Sequence, residues 1–259
     1  MDGIKIIIDL AACTGCGECA LDCPRRVIKM TDGRAEVVSE ECLKCGHCLA
    51  ICPVSAVRMD GLEDEILEAV EGQAMLGAEE LKRHLKLRRS VRRYKQVPVE
   101  RDKIEQIIEA GRLTPSGSNM QNVRYIVIQR GLDELEDEAT EIYRAVSKMT
   151  GMPLGIDISK YKLERGFLFH GATAVILVVS ENNTNACLAA MSMELMAEAL
   201  GLGTLYVGLF ARPANHDKEL RRKLGLEDKE NIAVCLALGY PDVTYSRSAP
   251  KKPAAVEWR

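Results

Sequence analysis

The residues best suited to chemistry are eight of the chain's ten cysteines, which lie in two tight runs within the first 52 residues. The runs are CTGCGECALDCP, beginning at Cys13, and CLKCGHCLAICP, beginning at Cys42. Both follow the spacing C-x2-C-x2-C-x3-C-P, in which three cysteines bind one iron–sulfur cluster and the fourth binds the other cluster of a pair. The sequence therefore predicts two 4Fe-4S clusters, one held by Cys13, Cys16, Cys19 and Cys52 and the other by Cys42, Cys45, Cys48 and Cys23.

Other interpretations of the cysteines fit less well. Ten cysteines could form disulfides in a secreted chain, but eight of them in two tight runs have the spacing of metal ligands. Four thiolates can also bind zinc, although zinc ribbons use paired C-x2-C knuckles. His47 lies between two ligands whose set is complete without it, so we expect an exposed loop residue. Cys187 and Cys235 lie in an apolar helix and an apolar strand, and we predict both as core.

The two runs belong to a longer internal repeat, in which residues 13–30 match residues 42–59 at every cysteine, the proline and the final methionine. Strand-like segments precede each copy (IKIIID and AEVVS) and end it (VIKM and AVRM). This pattern predicts a small β-rich domain over residues 1–60. Residues 61–77 are acidic and punctuated by glycine, so they predict a connector with one short helix that carries Ile66, Leu67 and Val70.

The remaining chain, residues 78–259, alternates amphipathic helices with apolar strands. We predict helices at 79–89, 102–113, 133–149, 185–200 and 215–224. The predicted strands are YIVIQ, TAVILVVS, LYVGLF and AVCLALGY. These strands are apolar enough to be buried on both faces of a sheet, which gives an α/β or α+β sandwich. Alternation by itself favours a parallel sheet.

An arginine-rich segment, LRRSVRRY, follows the first of these helices. In extended backbone Arg88, Ser90 and Arg92 would share one face, where two guanidinium groups and a hydroxyl suit a phosphate. A solvated helix end whose basic residues complement the helix dipole explains the segment equally well.

Two further segments offer contacts to a planar polar ligand. TPSGSNMQNVRYIVI carries the side-chain amides of Asn119 and Gln121 ahead of a strand. EALGLGTLYVGLF would let the backbone approach a ligand closely at Gly203 and Gly208, although Gly201 and Gly203 could also form a helix C-cap.

Together and in this order, the three segments resemble the nitroreductase family of flavin enzymes, and the resemblance spans roughly residues 85–258. It implies that the FMN phosphate and ribityl chain contact Arg88, Arg89, Ser90 and Arg92. It implies that the loop reaching the flavin from the other subunit contains Pro115, Ser116, Gly117 and Asn119. It also assigns backbone contacts near the reactive edge to Gly208 and Leu209, and a phosphate contact to Lys251, with Arg247 as a fallback. The chain departs from the family at Gln121, Asn122 and Val123, where glutamine, proline and an aromatic residue often stand.

The resemblance also implies the architecture and the activity. The fold class is α+β, with a small two-cluster ferredoxin domain followed by a nitroreductase-like, FMN-dependent mixed sheet flanked by helices. We expect a homodimer in which electrons enter singly at the clusters, pass to FMN and leave to a nitro, quinone or enone-like organic acceptor. A low-potential donor such as ferredoxin or a hydrogenase fits these clusters. The alternative is a module that delivers electrons to a protein partner and has no small-molecule substrate of its own.

Several classes of function are excluded or disfavoured. A net charge of −3 gives no basic surface for nucleic acid. The sequence has no membrane-length apolar run and an acidic residue where a signal peptide would be basic, so we expect a cytoplasmic protein with no membrane partner. No G-x-G-x-x-G follows a strand, so no nicotinamide-binding Rossmann unit is visible. The fusion of one-electron clusters to a flavin domain suggests ferredoxin-linked rather than NAD(P)H-linked reduction. His170 precedes a strand and could donate a proton, but a lone histidine there is more often structural, and no catalytic residue is assigned.

Overall fold

The structure, a computed structural model, describes residues 5–62, 64–68, 76–150 and 163–259. The chain forms two compact units. The first comprises residues 1–73 together with Gly117–Met120, and the second comprises Ala74–Ser116 and Gln121–Arg259.

The first unit is built from the internal repeat. Its strands form two antiparallel pairs, β1 with β4 and β2 with β3. Their bounds are β1 (Lys5–Ile8), β2 (Ile28–Thr31), β3 (Arg34–Val37) and β4 (Val57–Asp60), with the one-turn helices α1 (Glu18–Leu21) and α2 (His47–Ala50). The β-rich prediction is therefore confirmed. Asp32 and Gly33 both have positive φ, of 49° and 75°, and form the two-residue turn that twists β2 correctly onto β3.

The repeat is also visible in the backbone. Residues with positive φ recur 29 residues apart in the two copies. The equivalent pairs are Gly15 with Lys44, Gly17 with Gly46, Arg26 with Ser55, and Asp32 with Gly61. The copies therefore share a local conformation and not only their cysteines.

The predicted connector helix is absent from residues 64–68, the described part of the connector that contains Ile66 and Leu67. Ile66 and Leu67 are exposed, and residues 64–68 carry no regular secondary structure, while Val70 lies outside the described residues. A helix this short is marginal in water unless its apolar side packs on something.

The second unit contains a four-stranded sheet in the order β5-β6-β8-β7. The strands are β5 (Arg124–Ile128), β6 (Ala174–Ser180), β7 (Gly203–Tyr206) and β8 (Asn231–Gly239). All three pairings among these described strands are antiparallel, whereas a mixed sheet was expected. The reason is that β8 inserts between β6 and β7. Those two strands run in the same direction, as helix–strand alternation suggests, but they are not neighbours.

The helices cover both faces of this sheet. Their bounds are α3 (Ala78–Leu87), α4 (Arg101–Arg112), α5 (Leu132–Thr150), α6 (Asn183–Ala199), α7 (Gly208–His216) and α8 (Lys218–Lys223). Alternate residues of β6 divide between two apolar clusters: Ile176 packs with Ile107 and Met193 of α4 and α6, whereas Leu177 packs with Phe210 of α7. Every residue of β6 is buried, as predicted for a strand covered on both sides.

Two predictions about this unit are wrong. The strand LYVGLF ends at Tyr206, and Gly208 begins α7, so the helix predicted at 215–224 is really the end of α7 followed by α8. The backbone changes direction at Val207, whose amide still bonds Cys235 on β8.

Cys187 is exposed on α6, beside the exposed Leu188 and Met191, whereas Cys235 is buried as expected. An apolar sequence alone does not show which side of such a helix meets the sheet.

No helix in the described part of the chain combines the length and the apolar character needed to cross a membrane.

Candidate functional sites

The eight N-terminal cysteines line two separate cavities of the first unit. One cavity is lined by Cys13, Cys16, Cys19 and Cys52, and we call it the first cage. The other is lined by Cys42, Cys45, Cys48 and Cys23, and we call it the second cage. Each cage draws three cysteines from one repeat and the fourth from the other, which is the grouping that the spacing predicts.

Local structure explains how each repeat aims its thiols. Gly17 and Gly46 adopt left-handed φ values of 81° and 76° and start α1 and α2. The third cysteine of each run, Cys19 or Cys48, is then buried on that one-turn helix, within the apolar cluster that also contains Val27, Ile28, Ala56 and Val57. Glycine suits these starts because a Cβ atom disfavours left-handed backbone.

The electrostatics of the cages suit bound metal. Burial raises the pKa of the Cys48 thiol to about 11, and it raises the pKa of Cys19 as well. Backbone amides counter this elsewhere: hydrogen bonds from Ala35 and Gly15 lower the pKa of Cys13. The amides of Lys44 and Ala56 donate to the sulfurs of Cys42 and Cys52 at 3.1 and 3.2 Å. Such N–H···S bonds stabilise thiolate ligands and tune cluster potentials.

The cysteine lining of the cages fits an iron–sulfur cluster. Among the described residues, no three histidine, cysteine or acidic side chains lie close enough together to hold one metal ion. Each cavity is lined by four thiols, which is the number of thiolate ligands that a 4Fe-4S cluster takes. His47 lines the second cage and is exposed, as predicted, but it begins α2 and does not lie in a loop. Its Nδ1 lies 3.1 Å from Oδ2 of Asp22.

The predicted loop after α4 is divided between the two units. Pro115 and Ser116 belong to the second unit. The Ser116 hydroxyl accepts a hydrogen bond from the backbone amide of Gln121 at 2.9 Å. Gly117 and Asn119 lie in the 3₁₀ turn Gly117–Asn119, which belongs to the first unit. There the Asn119 amide nitrogen donates to the carbonyl oxygens of Leu43 and Lys44, within the second cysteine run.

The arginine segment is extended and lies along the edge strand β7. The Val91 amide donates to the carbonyl of Thr204 at 2.9 Å, and the Asp242 amide donates to that of Arg93 at 2.9 Å. Val91 is buried and meets Gly203 so closely that a Cβ there would lie 2.5 Å from the valine Cγ2. The close approach predicted at Gly203 is thus made by the chain itself. Gly201, with φ of 76°, closes the C-terminus of α6, as the C-cap interpretation proposed.

Arg88 is held by a buried acid. Its Nη1 lies 2.5 Å from Oε1 of Glu194, whose side chain is 2% exposed. Thr204 donates its hydroxyl to the same carboxylate at 3.2 Å. Arg88 can therefore present to a ligand only the guanidinium nitrogens that Glu194 leaves available. Arg89 instead donates to the backbone carbonyls of Lys86 and Arg88.

A second acid lies one helical turn further along α6. Burial and the charge of Glu194 raise the pKa of Glu198 to about 7, although Arg88 opposes the shift. Its Oε2 lies 2.9 Å from Nε2 of His84 on α3. His84, Arg88 and Glu198 line a cavity of about 570 Å³, together with Arg83, Arg89, Gly203 and Tyr245. Both cationic and acidic side chains line this cavity, so it is not a simple anion site.

Gly208 and Leu209 occupy a helix N-terminus. No side chain caps α7 at Val207, and the Phe210 amide donates to the Val207 carbonyl, so the amides of Gly208 and Leu209 are the ones suited to an acceptor outside the helix. A Cβ built on Gly208 would meet no atom within 4 Å, which leaves open space in front of this backbone. Both features fit the backbone contacts that the sequence predicts for these residues.

The remaining candidates are more dispersed. Ser90 accepts a hydrogen bond at its carbonyl from the Tyr245 hydroxyl, at 3.3 Å. Lys251 and Arg247 lie in an exposed C-terminal segment without regular structure. His170 is half-buried with φ of 53°, and burial and the charge of Arg92 lower its pKa. Arg92 and His170 are therefore near each other, which the sequence did not suggest.

Residues 85–240 match the sequence profile of the nitroreductase family, and residues 5–53 match that of the 4Fe-4S dicluster domain. The chain belongs to the nitroreductase family. The fold class and the family inferred from the sequence are thereby confirmed, with the dicluster domain preceding the nitroreductase domain.

Individual relatives agree with this assignment. A protein of Archaeoglobus fulgidus, provisionally named an NADH dehydrogenase/NAD(P)H nitroreductase, is 25% identical over 173 residues, which is 63% of this chain and 86% of the relative. A Bacteroides fragilis nitroreductase solved with bound FMN superposes with a TM-score of 0.58 at 22% identity, covering 69% of this chain and 99% of the other. A Desulfitobacterium hafniense nitroreductase solved with bound FMN gives 0.56 at 22% identity, covering 70% and 100%. At these identities the structures establish the fold.

Sequence reasoning missed the polar cluster inside this nitroreductase domain. Glu194 and Glu198 stand four residues apart in the otherwise apolar helix ACLAAMSMELMAEAL. Isolated acids in a buried helix need a partner, because an unpaired buried carboxylate is costly. That signal could have predicted a cationic partner, but not that it would be Arg88.

Proposed function

We propose that this nitroreductase-family protein is an iron–sulfur flavoprotein oxidoreductase that accepts electrons singly through two 4Fe-4S clusters and reduces an organic acceptor at FMN. The observation that carries the proposal is the pair of four-cysteine cages in the same chain as a nitroreductase domain. Clusters carry one electron each, whereas a flavin can take electrons singly and deliver two together.

The cluster ligands we propose are the members of the two cages. Their grouping, burial and N–H···S bonds support this assignment. Assembly displaces the thiol protons, because only thiolates bind iron, and buried Cys48 with its raised pKa depends most on that exchange.

For FMN we propose the residues that match the family's motifs: Arg88, Arg89, Ser90, Arg92, Pro115, Ser116, Gly117, Asn119, Gly208, Leu209 and Lys251. The extended backbone of the arginine segment and the open helix N-terminus at Gly208 support the group. Bound FMN would supply hydride chemistry. Arg92 would offer charge to the phosphate, and the α7 amides would donate hydrogen bonds to an acceptor on the ring.

We further propose a cytoplasmic homodimer that receives electrons from a low-potential donor of the ferredoxin or hydrogenase class. The exposed apolar residues Leu188 and Met191 on α6 offer a surface for a second copy. The reduced thiols that the cages require favour the cytoplasm.

The decisive experiment compares electron donors under anaerobic conditions. Wild-type protein, Cys45→Ser and the control Cys187→Ser are mixed with reduced ferredoxin or with NAD(P)H, and flavin bleaching is followed by absorbance. We expect ferredoxin to reduce the flavin in the wild type and in Cys187→Ser but much more slowly in Cys45→Ser. Rapid reduction of Cys45→Ser by NAD(P)H would contradict the proposed route.

An acceptor panel then tests the chemistry. Reduced protein should be reoxidised in repeated turnovers by a nitroaromatic, quinone or enone compound. Reoxidation only by a protein partner would instead identify an electron carrier.

FMN binding is tested separately. Ser90→Ala and Arg92→Ala should lower FMN content per chain while iron content stays unchanged. Loss of iron in these variants would contradict the domain assignment.

A further inference from the structure

The two cysteine runs adopt the same loop but support it differently. Between the first two cysteines of each run, one residue takes a left-handed conformation: Gly15 with φ of 74° and Lys44 with φ of 55°. Glycine adopts this conformation freely, whereas for lysine it costs about 1–2 kcal/mol. The second loop therefore requires a stabilising contact that the first does not.

The first loop leaves no room for a side chain. A Cβ on Gly15 would collide with the carbonyl oxygen of Gly33, in the β2–β3 turn. That turn covers the first loop directly, and glycine is the residue that permits it.

Asn119 covers the second loop in a different way. Its Nδ2 lies 3.1 Å from the carbonyl oxygen of Leu43 and 2.9 Å from that of Lys44. A side-chain amide has two N–H donors, so both are used on these two consecutive carbonyls. Only Oδ1 of Asn119 is left for any other partner, and it can accept but not donate.

Lys44, whose carbonyl accepts a hydrogen bond from Asn119, also bonds the sulfur of a cysteine in the second cage. The Lys44 amide donates to the Sγ atom of Cys42 at 3.1 Å. Asn119 thus holds the carbonyl end of Lys44 while the amide end of the same residue bonds the cysteine. Fixing the left-handed backbone of Lys44 fixes that N–H···S bond.

We propose that Asn119 is a positioning residue of the second cage, and that the turn Gly117–Asn119 is a structural part of the iron–sulfur unit. The inference rests on the proposed function in one respect, namely that the second cage holds a cluster. It gives Asn119 a role distinct from the flavin contact that the family resemblance assigns to it.

The test measures the stability and potential of each cluster in the full-length protein. Asn119→Leu keeps the approximate volume of the side chain and removes both donors. Ser118→Ala is the neighbouring control, because the hydrogen bonds to the Leu43 and Lys44 carbonyls come from Asn119 and not from Ser118. Iron release to a ferrous chelator is followed in time, each cluster is titrated by electron paramagnetic resonance, and FMN content is measured.

For Asn119→Leu we expect about half of the iron to leave roughly tenfold faster, because two hydrogen bonds to the loop are lost. One cluster potential should shift while the other stays at its wild-type value. Ser118→Ala should match the wild type.

A second variant makes the mechanism itself falsifiable. Lys44→Gly gives the second loop the residue that the first loop already has, so it should restore slow iron release when combined with Asn119→Leu. Uniform acceleration for all the iron, no restoration by Lys44→Gly, or a loss of FMN with unchanged iron kinetics would overturn the proposal. Absence of iron from the wild type would instead overturn the proposed function.

Discussion

The two units bury different kinds of side chain in their interiors. The apolar cluster of the first unit contains Val27, Ile28 and Val57 with small alanines, and three of its eight buried members are cysteines. The second unit buries large side chains completely, among them Tyr143, Phe169, Phe210 and Leu236. A unit of about 60 residues with so small an apolar core is marginal on its own. The difference predicts that the first unit depends on the proposed clusters for its stability, whereas packing holds the second.

The largest expected effect comes from removing iron. Chelation should abolish amide-exchange protection of residues 5–60, because ligand binding and folding are coupled in small metal domains. Protection in β6 and β8 should persist. Hydrogen exchange with mass spectrometry reads both units at once, and FMN-depleted protein is the control. Persistent protection of residues 5–60 without iron would remove the contrast between the units.

A cavity in the second unit should have a large effect confined to that unit. Leu236→Ala, at a fully buried position of β8, should lower the free energy of unfolding by about 2–5 kcal/mol. Val127→Ala, on the partly exposed face of β5, should change it by no more than about 0.5 kcal/mol. Denaturant titration with iron content measured in parallel checks both. Loss of iron in Leu236→Ala before unfolding would show that the units are not independent.

The buried acid Glu198 should make the second unit sensitive to pH. Its pKa in the folded protein is about 7, above the ordinary value of 4.5, so the folded state binds the proton more tightly. The associated stability is complete below about pH 4.5 and is lost as the pH rises through 7. Its side chain keeps 15% exposure, so we expect a loss of roughly 1–2 kcal/mol.

Thermal unfolding between pH 5 and 7.5 measures this loss. Glu198→Gln should flatten the dependence of stability on pH, because it removes the titrating carboxyl. The other charged or titratable groups beside Glu198 are Glu194, Arg88 and His84. An unchanged slope in Glu198→Gln would assign the pH dependence to another group.

The smallest expected effect is at the surface of the second unit. Arg124 makes a two-point contact with Glu230, at 2.9 and 2.5 Å, which lowers the pKa of that carboxyl. The arginine side chain is 43% exposed, so Arg124→Ala should cost less than about 1 kcal/mol. Urea titration at low and high salt checks it. A cost equal to that of Leu236→Ala would mean that charge, and not packing, holds this unit.

Much of the architecture was predictable because it depends on local patterns. The period of the cysteine runs, the β-branched strands around them and the apolar segments of β5, β6 and β8 each contain their own signal within a few residues. The motifs RRSVR, PSGSN and GLGTLYVGLF were enough to identify the family.

Other features depend on which side of an element faces its neighbours. The exposure of Cys187, the start of α7 at Gly208 and the insertion of β8 between β6 and β7 follow from packing against residues far away in the sequence. Nothing within the apolar helix α6 marks Cys187 as the outward residue.

The sequence by itself determined the ligand types of the cages, because thiols at fixed short spacing must converge on one side of a loop. Only the tertiary structure decided how those loops are held. Lys44 keeps a glycine-like conformation beneath Asn119, which is 75 residues away in the chain. Arg88 meets Glu194 across 106 residues. Such pairs depend on the path of the whole chain between them, and no local pattern encodes that path.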